Sequence, residues 1–133
     1  MIAEVKQERA FNNDVLLRLN FDAVVKGAAA YPDDHFGMDL PALRAAIAKV
    51  IDIGVKVSGL HIFAGSNNFL KKSQACVTAV EGIYDLVSEM LGYPLAVINL
   101  GGGIPANWRE KNIDFKSYRD ALSGLQQKTT VIH

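Results

Sequence analysis

Three consecutive glycines, Gly101, Gly102 and Gly103, carry the clearest chemical signal in this sequence. They follow the apolar run 95–100 (Leu-Ala-Val-Ile-Asn-Leu) and are closed by Ile104 and Pro105. The run reads as a strand buried on both faces, which suits a parallel sheet. Three glycines continue a strand poorly, because each costs backbone entropy and packs no side chain. They offer instead a loop of bare N–H groups that an anion can approach, and the C-terminal end of a parallel strand is a favourable place for a phosphate. The same residues also suit a tight strand-to-helix turn that binds nothing. Arg18 is a second candidate, a lone cation near the end of the apolar stretch 14–20. His61 sits alone on the apolar stretch 55–63, where a hydrogen-bonded core histidine is an equal reading.

The elements that position these residues follow in order. Residues 1–12 have weak helical periodicity, and 14–20 reads as the first strand. Residues 21–38 are rich in Gly, Ala, Pro and Asp and show no clear element, a long loop for a compact domain. Asp39 and Pro41 open a helix to residue 53. Its apolar stripe is Leu40, Leu43, Ile47, Val50 and Ile51, and Gly54 closes it. A second strand spans 55–63. A long helix over 69–91 repeats Leu70, Val77, Val80, Ile83, Tyr84 and Val87 at helical spacing and stops at Gly92, Tyr93 and Pro94. The third strand is 95–100, Asp114 caps a helix over 115–125, and a fourth strand begins at 129–132. This αβαβαβαβ order predicts an α/β fold, a parallel sheet with crossover helices.

Composition narrows the function classes. The chain has 133 residues, half hydrophobic and a fifth charged, enough for one domain with a core. Fourteen acidic residues balance fourteen basic ones, so no global field draws the chain to nucleic acid or to a membrane surface. No apolar run reaches membrane-spanning length. Cys76 is the single cysteine, which excludes an internal disulfide and reads as a buried packing residue. With no signal-peptide core at the N-terminus, the expected location is the cytoplasm. No metal site is read from the sequence.

Four stretches then fall into register: Arg18-Leu19-Asn20, His35-Phe36-Gly37, Gly59-Leu60-His61-Ile62-Phe63-Ala64-Gly65-Ser66 and Gly101-Gly102-Gly103-Ile104-Pro105. In order and spacing they resemble the barrel domain of the fold-type III pyridoxal-phosphate decarboxylases, which include the diaminopimelate, ornithine/arginine and carboxynorspermidine enzymes. That family's pattern is R-x-N, K-F-G, G-x-H-x-H-x-G-S and G-G-G-F-P, and the resemblance runs from about residue 14 to the end. It implies that Gly101, Gly102 and Gly103 hold the cofactor phosphate through backbone N–H groups and that Ser66 bonds the same phosphate. It implies further that Arg18 lies beside the cofactor ring, that His61 is the first histidine of the pair, and that Phe63 replaces the second, ring-stacking histidine. A phenyl ring stacks by dispersion but cannot move a proton. His35 replaces the family lysine, Ile104 its phenylalanine and Asn67 its glutamine or glycine.

The resemblance also implies what to look for elsewhere. The family bonds its cofactor to a lysine as an internal aldimine, on an early strand upstream of R-x-N, and nothing before residue 14 matches it. Lys71 and Lys72 match no catalytic position, so no catalytic residue is assigned within the chain. An E-P-G-R segment follows the family strand that resembles 129–132, and a C-terminal β-domain adds a cysteine and a tyrosine to the partner subunit's site. A whole (β/α)8 barrel takes about 250 residues. The expectation for residues 1–133 is therefore a partial pyridoxal-phosphate-binding barrel domain, about half of a TIM-type barrel, lacking the N-terminal lysine strand and the β-domain. Open parallel edges predict self-association into a homo-oligomer. The implied parent activity is decarboxylation of a small-molecule amino acid, diaminopimelate by default, although Phe63 and its surroundings look closer to members acting on carrier-bound or siderophore-type substrates. Two alternatives stand beside it: a non-catalytic fragment that only self-associates, and a barrel fragment binding another phosphate ligand.

Overall fold

The computed structural model describes residues 14–26, 36–65 and 74–133. In chain order the elements are β1 (Val15–Leu19), α1 (Phe21–Lys26), α2 (Leu40–Asp52), β2 (Val57–Ile62), α3 (Gln74–Leu91), β3 (Val97–Asn99), α4 (Phe115–Lys128) and β4 (Thr130–Ile132), with a short 3-10 turn at Trp108–Glu110. All three strand pairings are parallel and the sheet order is β1-β2-β3-β4. This is the expected α/β arrangement, four consecutive parallel strands with helices between them.

Local chemistry explains most boundaries. The Asp39 side chain accepts the Ala42 N–H at 2.9 Å, and Pro41 stands in the first turn of α2, where its missing N–H is no loss. Gly54 ends α2 at φ +66°, while the Val55 N–H reaches back to the Val50 carbonyl at 2.8 Å. Asp114 caps α4 by accepting the Ser117 N–H at 2.9 Å. That N–H, more than any charge, holds the exposed Asp114 carboxyl below its ordinary value. The helix runs one turn past the expected residue 125. Lys128 in that turn reaches Asp85 at 2.8 Å and Glu81 at 3.2 Å on α3, which ties the two helices and raises its own pKa.

Strand register divides the sheet into two unlike faces. Leu17, Leu60, Ile98 and Val131 form one lateral row, and together with Leu43, Ile47, Val80, Val87 and Leu125 they belong to the core between sheet and helices. Each such side chain contributes roughly 1.5–3 kcal/mol when fully buried. The other face carries Arg18, His61 and Asn99, half-buried, and the exposed Ile132. The run 95–100 is therefore not buried on both faces. Leu95, Ile98 and Leu100 are buried, Val97 and Asn99 half-buried, and Ala96 exposed, because the core lies on one side only.

Three further expectations change. The stripe of α2 is narrower than its spacing suggests: Leu43, Ile47 and Val50 are buried, but Leu40 is 39% and Ile51 52% exposed. Residues 21–38 do contain a helix, α1, packed against α3. The edge of β1, expected to be open, is partly covered among the described residues, since Met38 pairs with Leu19 in parallel, its N–H donating to the Arg18 carbonyl at 2.8 Å. Cys76 is buried, as its place in the sequence suggests. The helix start over 69–73 and the periodicity of 1–12 lie outside the described residues.

Candidate functional site

The site is built first at the end of β1, where Arg18 and Asn20 take different tasks. Asn20 is completely buried, at 0% exposure. Its Oδ1 accepts the Ala23 N–H at 2.9 Å, the capping bond that starts α1, and its Nδ2 donates to the Phe36 carbonyl at 3.2 Å. Its backbone N–H donates to the Met38 carbonyl at 3.0 Å. Gly37 completes the junction at φ +91°, and a Cβ there would stand 2.4 Å from the Leu19 carbonyl carbon. Only glycine meets both conditions. Asn20 and Gly37 thus hold Phe36, 64% exposed, over the side chain of Arg18. The Arg18 Cζ lies 5.0 Å from the Phe36 ring centroid, a cation–π contact.

Arg18 is left with unused bonding capacity. Its Nε is buried and makes no hydrogen bond, and among the described residues it forms no ion pair. The strand-end ion pair that would have explained this arginine without a ligand is absent among those residues. A guanidinium cannot shed its charge, so a buried and unpartnered Nε favours an incoming acceptor.

An open cavity of about 310 Å³ lies at the ends of β1 and β2. Arg18 and Asp22 supply its charges, Phe21, Phe36 and Phe63 its rings, and Ala64 and Gly65 its remaining wall. Two sequence-predicted residues, Arg18 and Phe63, therefore meet at one hollow. Ser66 follows Gly65 directly but lies outside the described residues, as do His35, Asn67, Lys71 and Lys72. No lysine among the described residues lines the cavity.

His61 is the register partner of Arg18 on one side and of Asn99 on the other. It is half-buried in that polar row and does not line the cavity. Gly59, in the same motif, serves the sheet: a Cβ there would lie 1.9 Å from the Val97 carbonyl oxygen.

The glycine loop is more differentiated than three equal donors. Gly101 is buried at φ +63°, and its N–H already donates to Asn99 Oδ1 at 2.8 Å. A Cβ on Gly101 would come within 2.8 Å of Phe63 Cδ2 and 3.1 Å of the Ile62 carbonyl oxygen, so its bare α-carbon is the backstop of the Phe63 ring. Gly102 is exposed with open space where a Cβ would point, and Gly103 turns the chain at φ +102°. The loop touches the cavity through Phe63 and does not line it. Beyond it, Trp108 and Phe115 meet edge to face at 5.9 Å on the surface. Tyr118, packed beside Cys76, has its hydroxyl pushed well above the tyrosine range by burial, so it remains neutral.

The family model described as "pyridoxal-dependent decarboxylase, pyridoxal binding domain" matches residues 1–131. No curated protein matches the chain by sequence. Among solved structures, the arginine decarboxylase of Paramecium bursaria Chlorella virus bound to agmatine superposes with a TM-score of 0.70 at 14% identity, over 98% of this chain and 36% of that one. Lysine decarboxylase from Selenomonas ruminantium gives 0.70 at 21% identity, over 98% and 35%. The lysine/ornithine decarboxylase from Vibrio vulnificus complexed with cadaverine gives 0.69 at 18%, over 98% and 35%. At these identities the likeness speaks for the fold. The chain spans about a third of the length of each of these structures.

Proposed function

The chain belongs to the pyridoxal-dependent decarboxylases through their pyridoxal-binding domain, and from that premise we propose that the cavity at the ends of β1 and β2 receives pyridoxal phosphate for removal of an amino acid's α-carboxylate. Pyridoxal phosphate is the family's cofactor. The observation that carries the reading is the buried Arg18 Nε without a partner, at a cavity walled by three phenyl rings. A flat, anionic, aromatic ligand answers both features. The chain's residues then divide the work. Arg18 binds negative charge, Phe63 stacks on a ring face, and the phosphate reaches past Phe63, beyond the cavity wall, to the Gly102–Gly103 turn and Ser66. His61 stays in the strand row behind them. When bound, the cofactor supplies an electron sink for the carbon that loses carbon dioxide.

The substrate we assign is an amino acid with a second charged end. Support comes from the ligands of two of the comparison structures, agmatine and cadaverine, and from Asp22, whose carboxylate shares the cavity with Arg18. Diaminopimelate is the finer assignment within that class. We also propose that 1–133 acts as a partial barrel domain, the outer edge of β4 and the part of the β1 edge that no described residue pairs with joining a further chain, a second copy included.

The test is a titration of the chain with pyridoxal phosphate, followed by visible absorbance, borohydride reduction and intact mass. Saturable binding that weakens about tenfold or more in Arg18→Met supports the reading, since a charge-assisted bond is worth roughly 1.5–3 kcal/mol. Equal binding by both proteins, or none by the unaltered chain, contradicts it. Appearance of a borohydride-stable adduct shows that a primary amine of this chain bonds the aldehyde, and peptide mapping then locates it.

A further inference from the structure

Asn99 is the last residue of β3 and stands in the same lateral row as Arg18 and His61. Asparagine is a poor strand former, and the residues around it, Val97, Ile98 and Leu100, are all apolar. What it does here is accept the Gly101 N–H on Oδ1 at 2.8 Å, two residues on, which closes an Asx turn. That bond fixes the carboxamide with its oxygen toward the turn. The turn in turn sets Gly101 in the left-handed region at φ +63°, with its bare α-carbon against the Phe63 ring. Phe63 lines the cavity.

We infer that Asn99 is a positioning residue for ligand binding: its carboxamide locks the glycine turn, and through Gly101 it holds the Phe63 ring at the cavity. The inference rests on the assignment of that cavity to pyridoxal phosphate. Without the Oδ1 acceptor, Gly101 is free to leave the left-handed region, Phe63 loses its backstop, and the Gly102 and Gly103 amides lose their fixed direction. The requirement is for an acceptor at one point, so a carboxylate of the same length satisfies it. A leucine supplies none, and a glutamine places its oxygen one methylene too far.

The experiment compares the full chain with Asn99→Leu, Asn99→Gln and Asn99→Asp, each ¹⁵N-labelled. Hydrogen exchange of the Gly101 amide and affinity for pyridoxal phosphate are read on the same samples. In Asn99→Leu and Asn99→Gln, Gly101 exchange rises about fivefold or more, the equivalent of one lost neutral hydrogen bond, and affinity falls by a similar factor. Asn99→Asp restores Gly101 protection and, at physiological salt, brings affinity to within about threefold of the unaltered chain, since screening weakens repulsion of the phosphate. Faster Gly101 exchange with unchanged affinity overturns the inference, as does unchanged behaviour of both Asn99→Leu and Asn99→Gln. Failure of the unaltered chain to bind pyridoxal phosphate overturns the cavity assignment itself, and is told apart because no variant is needed to see it.

Discussion

Replacing Asn20 with alanine removes two side-chain hydrogen bonds to described residues from the point where β1, α1 and the Phe36 segment meet. The Ala23 N–H loses its partner at 2.9 Å and the Phe36 carbonyl loses its partner at 3.2 Å. Ala23 is buried, so its N–H is stranded away from water, at a cost of about 1–3 kcal/mol. Phe36 is largely exposed, so its carbonyl can turn to solvent and the loss there is nearer 0.5–1 kcal/mol, on the order of one net hydrogen bond. Together these give a destabilisation of about 1.5–4 kcal/mol. In urea, with a slope of roughly 1–3 kcal/mol/M for a small domain, the midpoint falls by about 0.5 M or more. Asn20→Ser separates the two contributions. Its hydroxyl still caps α1 but cannot reach Phe36, so it recovers about 1 kcal/mol of the loss. Equilibrium urea unfolding of the three proteins gives these differences directly. A change below about 0.5 kcal/mol in Asn20→Ala would refute the role given to this junction, because ordinary surface substitutions fall in that range.

Gly37→Ala forces a left-handed backbone and a contact of 2.4 Å with the Leu19 carbonyl carbon, so it detaches the Phe36–Met38 segment from β1. The expected loss is about 3 kcal/mol by urea unfolding, from the strained φ and the broken backbone bonds. Gly59→Ala places a Cβ 1.9 Å from the Val97 oxygen and prises β2 from β3, so soluble yield and thermal midpoint both drop, whereas Gly82→Ala, which meets nothing within 4 Å inside α3, raises the midpoint slightly, as alanine for glycine does in a helix. Two pH effects have opposite signs. The Lys128 pKa is raised from 10.5 by Asp85 first and then Glu81, so its contribution is full below 10.5 and is lost as pH climbs through the folded value, an effect absent in Lys128→Met melts. The Asp114 pKa is lowered from 3.8 by the Ser117 N–H, so its contribution is present above 3.8 and lost as pH falls through the folded value, and Asp114→Asn melts lack that acid limb.

What the sequence makes legible follows from how local each signal is. Asp39, Gly54 and Asp114 mark helix ends by chemistry within a few residues, and all three act as read. The strands and their parallel order are legible because apolar runs alternate with long amphipathic stretches. Helix α1 is missed because its start is capped by Asn20, which the strand reading claims for β1, and its six residues are too few to show a period. Met38 on the edge of β1 depends on a contact across some twenty residues, for which the sequence holds no short-range mark. An apolar run such as 95–100 does not say which face the helices cover. At the site, R-x-N and the glycine run are visible as motifs, but their roles are not: Arg18 faces the cavity while Asn20 serves the fold, and Gly101 spends its N–H on Asn99. Asp22 at the cavity and Asn99 under the glycine turn take their parts only from geometry, and Asn99 is hidden in the sequence as a polar letter inside an apolar strand.

The most direct test of the central assignment is a crystal structure of the chain grown or soaked with pyridoxal phosphate. The ligand is expected at the ends of β1 and β2, its ring against Phe63, negative charge against the Arg18 guanidinium and the phosphate toward Gly102 and Gly103. Ligand bound elsewhere, or ordered protein with that cavity empty at saturating ligand, contradicts it.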